Sequence, residues 1–162
     1  MKYEEEKVAL YARVSTEEQN LENQIRLLKE WAAQNGVPNA QIYAEKESTR
    51  RTRPEKERIK ALARRGKVKT IVFTRLDRWG RSMTELVQEI EEFSTRGVAL
   101  ISLKDGLEFG TPAGRLQAHI LSAFASFERD LISARTREGL ARARARGKKL
   151  GRPRKRRSGK NE

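Results

Sequence analysis

Four short apolar runs, separated by segments of helical period, constrain this chain more than any other feature. They are Lys7–Val14, Gln41–Ala44, Thr70–Phe73 and Val98–Leu103. Short runs that are apolar at successive positions suit strands buried on both faces of a parallel sheet. After the first run, Leu21, Ile25, Leu28 and Ala32 recur at helical spacing, which predicts a helix over 17–34. Asn35-Gly36 and Pro38 end it. A polar loop is expected over 45–53 and a second helix over 55–65, closed by Gly66. Ser82 is placed to cap a third helix, in which Met83, Leu86, Val87, Ile90 and Phe93 share one face, and Gly97 stops it. This alternation predicts an α/β fold: a mostly parallel four-stranded sheet flanked by helices, followed by a long C-terminal helix. Functional sites in such sheets collect at the carboxyl ends of the strands.

A glycine-rich loop, 104–114, precedes the long helix, expected over 113–146. Leu116, Ile120, Phe124, Phe127 and Leu131 form an apolar stripe, widened by Ala123 and Ile132. Beyond Ile132 the stripe fails, and ARARARG favours helix without offering a core face. Such a helix is about 50 Å long, more than a small domain can cover. A partner helix from a second subunit is the expected cover for its first half. The alternative packs that half on the chain's own sheet. The expected divisions are a domain over 1–112, a dimerisation and DNA-contacting helix over 113–146, and a basic tail over 147–162.

The net charge of +14 is unevenly distributed. From Arg135 to Glu162 there are 13 Lys/Arg against Glu138 and Glu162, so the preceding residues are nearly balanced. A balanced domain with a strongly basic end points to a polyanion, nucleic acid before others, with a solvated tail as the alternative. Aromatic content of 6%, with no aromatic-basic stacking motif, argues against RNA. The expected DNA contacts are Arg129, Arg135, Arg142, Arg144, Arg146, Lys148, Arg152 and Arg154. The chain has no cysteine, which excludes disulfides, thiolate catalysis and cysteine zinc sites. A single histidine, His119, leaves no histidine-rich metal site and no Ser-His-Asp triad to expect. No apolar stretch approaches the roughly 20 residues of a membrane span, and MKYEEEK is no signal peptide. A cytoplasmic, nucleoid-associated protein is expected.

Three segments follow the first three strands and should share one edge: Ser15, the loop ending at Arg53, and Asp77 to Arg81. A serine hydroxyl is a weak nucleophile until its proton is removed and the developing charge is stabilised. Attack on a phosphodiester builds charge on the non-bridging oxygens, which fixed guanidinium groups can hold. Arg13, Arg53, Arg78 and Arg81 are the candidates, an arginine cage in place of metal ions. Asp77 is read either as orienting Arg78 or Ser15, or helping move protons, or as a plain ion-pair partner. Gly80 is read as permitting a tight turn that returns Arg81 to the phosphate. Gln19 either bonds a phosphate or holds Ser15, and Gln24 reads as scaffold. Taken alone, Ser15 or Thr16 reads as a helix cap, with Glu18 or Gln19 completing a capping box.

YARVST, Arg53-Pro54, LDRWGR, ILSAFASFERDLISART (Ile120–Thr136) and GRPRK together resemble the serine recombinases, the resolvase and invertase family. The resemblance covers about Lys7 to Arg157. It implies a four-stranded parallel-sheet catalytic domain followed by a long dimer helix. It implies site-specific recombination through a 5′-phosphoserine link that leaves a 3′-hydroxyl, with no metal and no cofactor. Dimers would bind each crossover site and pair as a tetramer. By motif, Ser15 is the nucleophile; Arg13, Arg53, Asp77, Arg78 and Arg81 complete the site, and Gln19 supports it. Glu128 and Arg129 match the FER segment, where Arg129 reaches the site or the subunit interface. Ala134 stands where relatives often carry an acidic residue. The family's helix-turn-helix domain is expected to be missing by truncation, and Gly151–Arg154 resembles the arm that enters the minor groove. The alternative is a non-catalytic DNA-binding or architectural protein on the same fold.

Overall fold

The computed structural model describes residues 3–14, 18–46, 52–148 and 151. A single 3-10 turn, Glu5–Lys7, leads into β1 (Val8–Val14), every residue of which is buried. Five elements follow: α1 (Glu18–Gln34), β2 (Gln41–Lys46), α2 (Pro54–Arg64), β3 (Thr70–Phe73) and the four-residue α3 (Leu76–Trp79). Then come α4 (Met83–Thr95), β4 (Ala99–Ser102), β5 (Leu107–Glu108) and α5 (Pro112–Ala145). The sheet order is β2-β1-β3-β4-β5, with β3 central. The first four strands are parallel, and β5 pairs antiparallel with β4.

The continuous apolar runs have a simple cause: each strand feeds two cores. Ala9 and Tyr11 of β1, with Ile71 and Phe73 of β3, face Ile59 of α2, Trp79 of α3, and Leu86, Ile90 and Phe93 of α4. Val8, Leu10, Ala12 and Val72 face Leu28 and Ala32 of α1 on the other side. Each large apolar side chain so buried contributes about 1.5–3 kcal/mol relative to exposure. The turn from α4 to β4 needs glycine. Gly97 takes φ of 65°, and Val98 N–H reaches back to Phe93 O at 2.9 Å, the Schellman closure of a helix end.

Four differences from the sequence reading have physical causes. The sheet has five strands, not four. β5 lies inside the expected 104–114 loop, where two residues are too short to show a period, and Phe109 N–H to Leu100 O at 2.9 Å extends its pairing. β2 runs to Lys46, because Glu45 is buried with its charge engaged by Tyr11 and by the Glu55 amide. LDRW forms a helix, although four residues cannot display helical periodicity. Lys7 belongs to the 3-10 turn and not to the first strand.

The chain divides into two compact units, 1–125 and 126–162. In the first, the start of α5 has two faces. Gly114, Ala118, Leu121 and Ala125 turn to the domain, with Gly114 and Ala125 buried. Leu116, Ile120 and Phe124 are 62%, 48% and 64% exposed. The small residues therefore do the packing on the chain's own domain, and the large apolar stripe is left uncovered in the single chain. In the second unit, Phe127, Leu131, Ile132 and Leu140 are exposed. Among the described residues, no helix is long and apolar enough to cross a membrane.

Candidate active site

The site begins with α3, whose short length creates its chemistry. Carbonyls in the last turn of a helix lack intrahelical partners and carry partial negative charge. Here two buried guanidinium groups satisfy three in a row. Arg13 Nη2 donates to Asp77 O at 3.0 Å, and Arg13 Nε donates to Arg78 O at 3.1 Å. Arg53 Nη1 donates to Trp79 O at 2.6 Å. The other end of α3 is held from β4: Asp105 accepts from Leu76 N–H at 2.7 Å and from the Ser102 hydroxyl at 2.5 Å. Trp79, fully buried, anchors the helix against Tyr11, Phe73 and Phe93, at ring separations of 5.2, 5.4 and 6.5 Å.

Arg13 is positioned twice. Its side chain is fixed by α3, and its peptide is clamped by Gln24 of α1. Gln24 accepts from Arg13 N–H at 3.3 Å and donates to Arg13 O at 2.9 Å. Gln24 is therefore scaffold, as its sequence position suggested, and Thr74 joins it at 3.4 Å. Gly80 serves differently from the expectation. Its φ is −84°, which any residue adopts, but a Cβ there would meet Leu86 Cβ at 3.1 Å. Glycine thus permits close approach of α3 to α4 and is not needed for the turn. Ser82 caps α4 as predicted, accepting from Glu85 N–H at 3.1 Å.

These elements enclose a cleft of about 730 Å³ at the carboxyl ends of β1 and β3. Arg13, Arg53, Asp77 and Arg81 line it, with Leu76, Gly80, Ser82, Met83 and Leu86. Four of the sequence-predicted site residues thus converge. Arg78 does not line this cleft; it borders a separate recess of about 260 Å³ with Gln24, Thr74, Arg75 and Lys104. The Asp77 carboxylate lies 3.1 Å from Arg75 and 3.8 Å from Arg78, so its nearer partner is Arg75, which the sequence reading did not name. Ser15 and the side chain of Gln19 lie outside the described residues, as do Arg152 and Arg154. In the second unit, Arg129, Arg135, Arg142, Arg144, Arg146 and Lys148 are all exposed. Arg129 Nη2 lies 3.2 Å from Ser126 Oγ.

The electrostatics of the cleft follow from burial and crowding. Burial, then the neighbouring Arg13 charge, lowers the pKa of Arg53 from its ordinary value. A guanidinium starts high enough to stay charged under such pressure. Tyr11, which donates to Glu45 at 2.6 Å, is pushed up by burial and by that carboxylate, so it stays a neutral donor. Fixed positive charge awaiting a developing oxyanion is the arrangement that stabilises a phosphoryl transition state. Sequence reasoning missed the supporting residues Glu45, Lys56, Glu85 and Asp105. Of these, Glu85 had a signal, standing three residues after the Ser82 cap as in a capping box.

An α/β sheet that gathers three guanidinium groups and a carboxylate at its carboxyl edge defines a class of proteins built to hold an anionic group there. Residues 8–149 match the family described as Resolvase, N terminal domain. The chain is 41% identical over 143 residues to a DNA-invertase of Enterobacteria phage P7, covering 88% of this chain and 73% of that protein. It is 41% identical over 144 residues to the serine recombinase gin of Escherichia phage Mu, covering 88% and 70%. The structure resembles a resolvase family site-specific recombinase from Streptococcus pneumoniae, with a TM-score of 0.73, 28% identity, and coverage of 86% and 97%. The chain belongs to the resolvase family of serine recombinases.

Proposed function

We propose that this serine recombinase cuts and rejoins double-stranded DNA through Ser15. The Ser15 hydroxyl oxygen attacks a backbone phosphorus, and its proton leaves to solvent or a nearby base. The bond to the 3′-oxygen breaks and that oxygen takes a proton from solvent or a nearby acid, which gives a 5′-phosphoserine link and a free 3′-hydroxyl. A 3′-hydroxyl from the exchanged strand then attacks the phosphoserine and restores the phosphodiester and the serine. Each step trades one phosphate ester for another, so the bond energy is conserved and no nucleotide or metal is consumed.

Arg13, Arg53 and Arg81 hold the charge that builds on the non-bridging oxygens. Asp77 orients Arg78, which engages DNA beside the cleft, and Gln19 supports Ser15. The observation that carries this reading is the convergence of Arg13, Arg53 and Arg81 in one cleft with Asp77. Residues 1–112 act as the catalytic domain, 113–146 as the dimerisation helix and 147–162 as a minor-groove arm, working at the nucleoid. The uncovered Leu116, Ile120 and Phe124 suit a homodimer along α5, and two dimers form the synaptic tetramer. Arg129, Arg135, Arg142, Arg144, Arg146, Lys148, Arg152 and Arg154 contact the DNA, chiefly its phosphates, so binding weakens with salt.

The test is a Ser15-dependent covalent adduct. The protein and Ser15→Ala are incubated with supercoiled plasmid carrying the DNA that flanks this chain's gene, then resolved under denaturing conditions. A nuclease-sensitive shifted band with Ser15 alone is expected. No band from either protein, with salt-sensitive DNA binding retained in both, would replace this reading with a non-catalytic DNA-binding role.

A further inference from the structure

Behind the cleft lies a charged cluster that phosphoryl transfer does not itself require. Lys56 of α2 is 1% exposed, an unusual place for an ammonium group. Its Nζ lies 2.9 Å from Glu89 Oε2 and 3.0 Å from Glu85 Oε1, and 4.9 Å from the Trp79 ring centre. Lys60 pairs with the other Glu89 oxygen at 2.9 Å. Glu89 therefore has Lys60 as well as Lys56, whereas Glu85 has Lys56 as its one ammonium partner among the described residues. The second oxygen of Glu85 accepts from Arg81 N–H at 2.8 Å. Arg53, Arg81, Lys56 and Glu85 also border one recess of about 260 Å³, and Arg53 and Arg81 line the main cleft too. Glu85 thus stands between the buried lysine and two guanidinium groups of the cage.

A carboxylate in that position can act in two ways. Held by Lys56, it fixes the main chain of Arg81 and has its charge engaged by the ammonium group. Released, it is left beside Arg53, whose charge it already feels across the shared recess, and pairing with it would neutralise charge that a phosphate needs. We infer that Lys56 is a positioning residue: it holds Glu85 on the Arg81 N–H and so keeps the Arg53 charge for phosphate. The inference rests on the proposed use of that cleft for a DNA phosphate, but not on Ser15.

The cleft's anion affinity tests this without a DNA target. Inorganic phosphate is titrated against the arginine Nε–H signals by ¹⁵N NMR, in the full chain at neutral pH. Lys56→Met keeps the side chain's length and removes its charge. It should weaken phosphate binding about tenfold, the effect of one charge partner diverted to a competing carboxylate. Adding Glu85→Gln removes the competitor but keeps an acceptor for Arg81 N–H, so the double variant should return to within about twofold of the parent. Thermal melts accompany both titrations: affinity rescued at an unchanged melting temperature is the expected sign, and affinity that returns only with recovered stability would overturn the inference. Unchanged affinity in Lys56→Met, or a double variant as weak as the single, would overturn the inference. If Lys56→Met does not fold, Glu85→Asp serves, being too short to span Lys56 and Arg81 N–H. It should weaken phosphate binding about threefold or more, and parental affinity would count against the inference. This pattern in a protein that forms no Ser15 adduct would defeat the recombinase mechanism and leave the inference standing. An adduct-forming protein without the pattern would do the reverse.

Discussion

Two glycines of α5 should respond to the same substitution with opposite signs. In a helix interior, alanine is favoured over glycine by about 1 kcal/mol, because glycine loses more backbone entropy. Gly139 has nothing within 4 Å of where a Cβ would stand, so Gly139→Ala should realise that gain. At Gly114 a Cβ would lie 1.9 Å from Glu108 O, 2.6 Å from Glu108 C and 2.8 Å from Phe109 Cα. All three are backbone atoms and cannot rotate away. To restore ordinary contact, the first turn of α5 must retreat from β5 by about 1 Å, whereas even small overpacking commonly costs 1–3 kcal/mol. Retreat would also strain the cap, in which Gly114 N–H donates to the Thr111 hydroxyl at 3.0 Å and that hydroxyl donates to Glu108 O at 2.9 Å. The net loss for Gly114→Ala should be about 2–3 kcal/mol after the helix-propensity gain is subtracted. With urea slopes of about 1–3 kcal/mol per molar, the unfolding midpoint should fall by roughly 0.7–3 M. Gly139→Ala should leave that midpoint within error or higher, and raise helical ellipticity at 222 nm. A Gly114→Ala protein as stable as the parent would refute the claim that α5 is seated by backbone contact at this glycine.

Acid should loosen the α2–α4 cluster through Glu85. Burial works to raise the Glu85 pKa, but the Lys56 hydrogen bond, the Arg81 N–H, and the Lys56 and Arg53 charges together lower it below the usual carboxylate value. A lowered folded pKa contributes stability that is present above the unfolded value and lost as pH falls through the folded one. Melting temperature should therefore fall more steeply in the parent than in Glu85→Gln below about pH 4.5; parallel curves would contradict the sign. On α5, Phe124→Glu should barely change folding, since Phe124 is 64% exposed. It should nonetheless weaken self-association by about 100-fold in sedimentation equilibrium, as expected for loss of an interface anchor. An unchanged association constant would remove this face from the dimer.

The sequence was most legible where one physical cause dominates. Thr70–Phe73 is a strand at the predicted boundaries because a continuous apolar run between two cores has no competing pattern. Ser82 and Gly97 marked the ends of α4 because cap and Schellman geometries demand those residues locally. It was least legible where tertiary contact reverses a residue's usual preference. Glu45 fell in an expected polar loop and Lys56 in an expected helix, and the sequence gives no local sign that distant partners bury them. Gly80 was read as permitting a tight turn, whereas its role is close packing, because a distance to Leu86 leaves no trace in a pattern of turns. Arg13, Arg53, Asp77 and Arg81 could be assigned to one edge because strand ends fix that edge. The separation of Arg78 into its own recess depends on a single turn of helix that four residues could not announce.

That single turn also explains how the proposed cage can exist before any phosphate arrives. Crowded guanidinium groups repel, and burying them costs desolvation. Arg13 and Arg53 meet both costs at the C-terminal end of α3, where the carbonyls of Asp77, Arg78 and Trp79 supply oriented negative dipoles without adding a net charge. A carboxylate in the same place would hold the arginines as well but would cancel the field that a phosphate feels. Backbone acceptors leave that field intact, so the positive charge is fixed in advance and little reorganisation is needed as the oxyanion forms. The same logic places the Glu85 carboxylate behind the cleft, tied to Lys56, and leaves the Asp77 carboxylate engaged with Arg75 and Arg78. In this site the short helix is the means by which like charges are held together and kept usable.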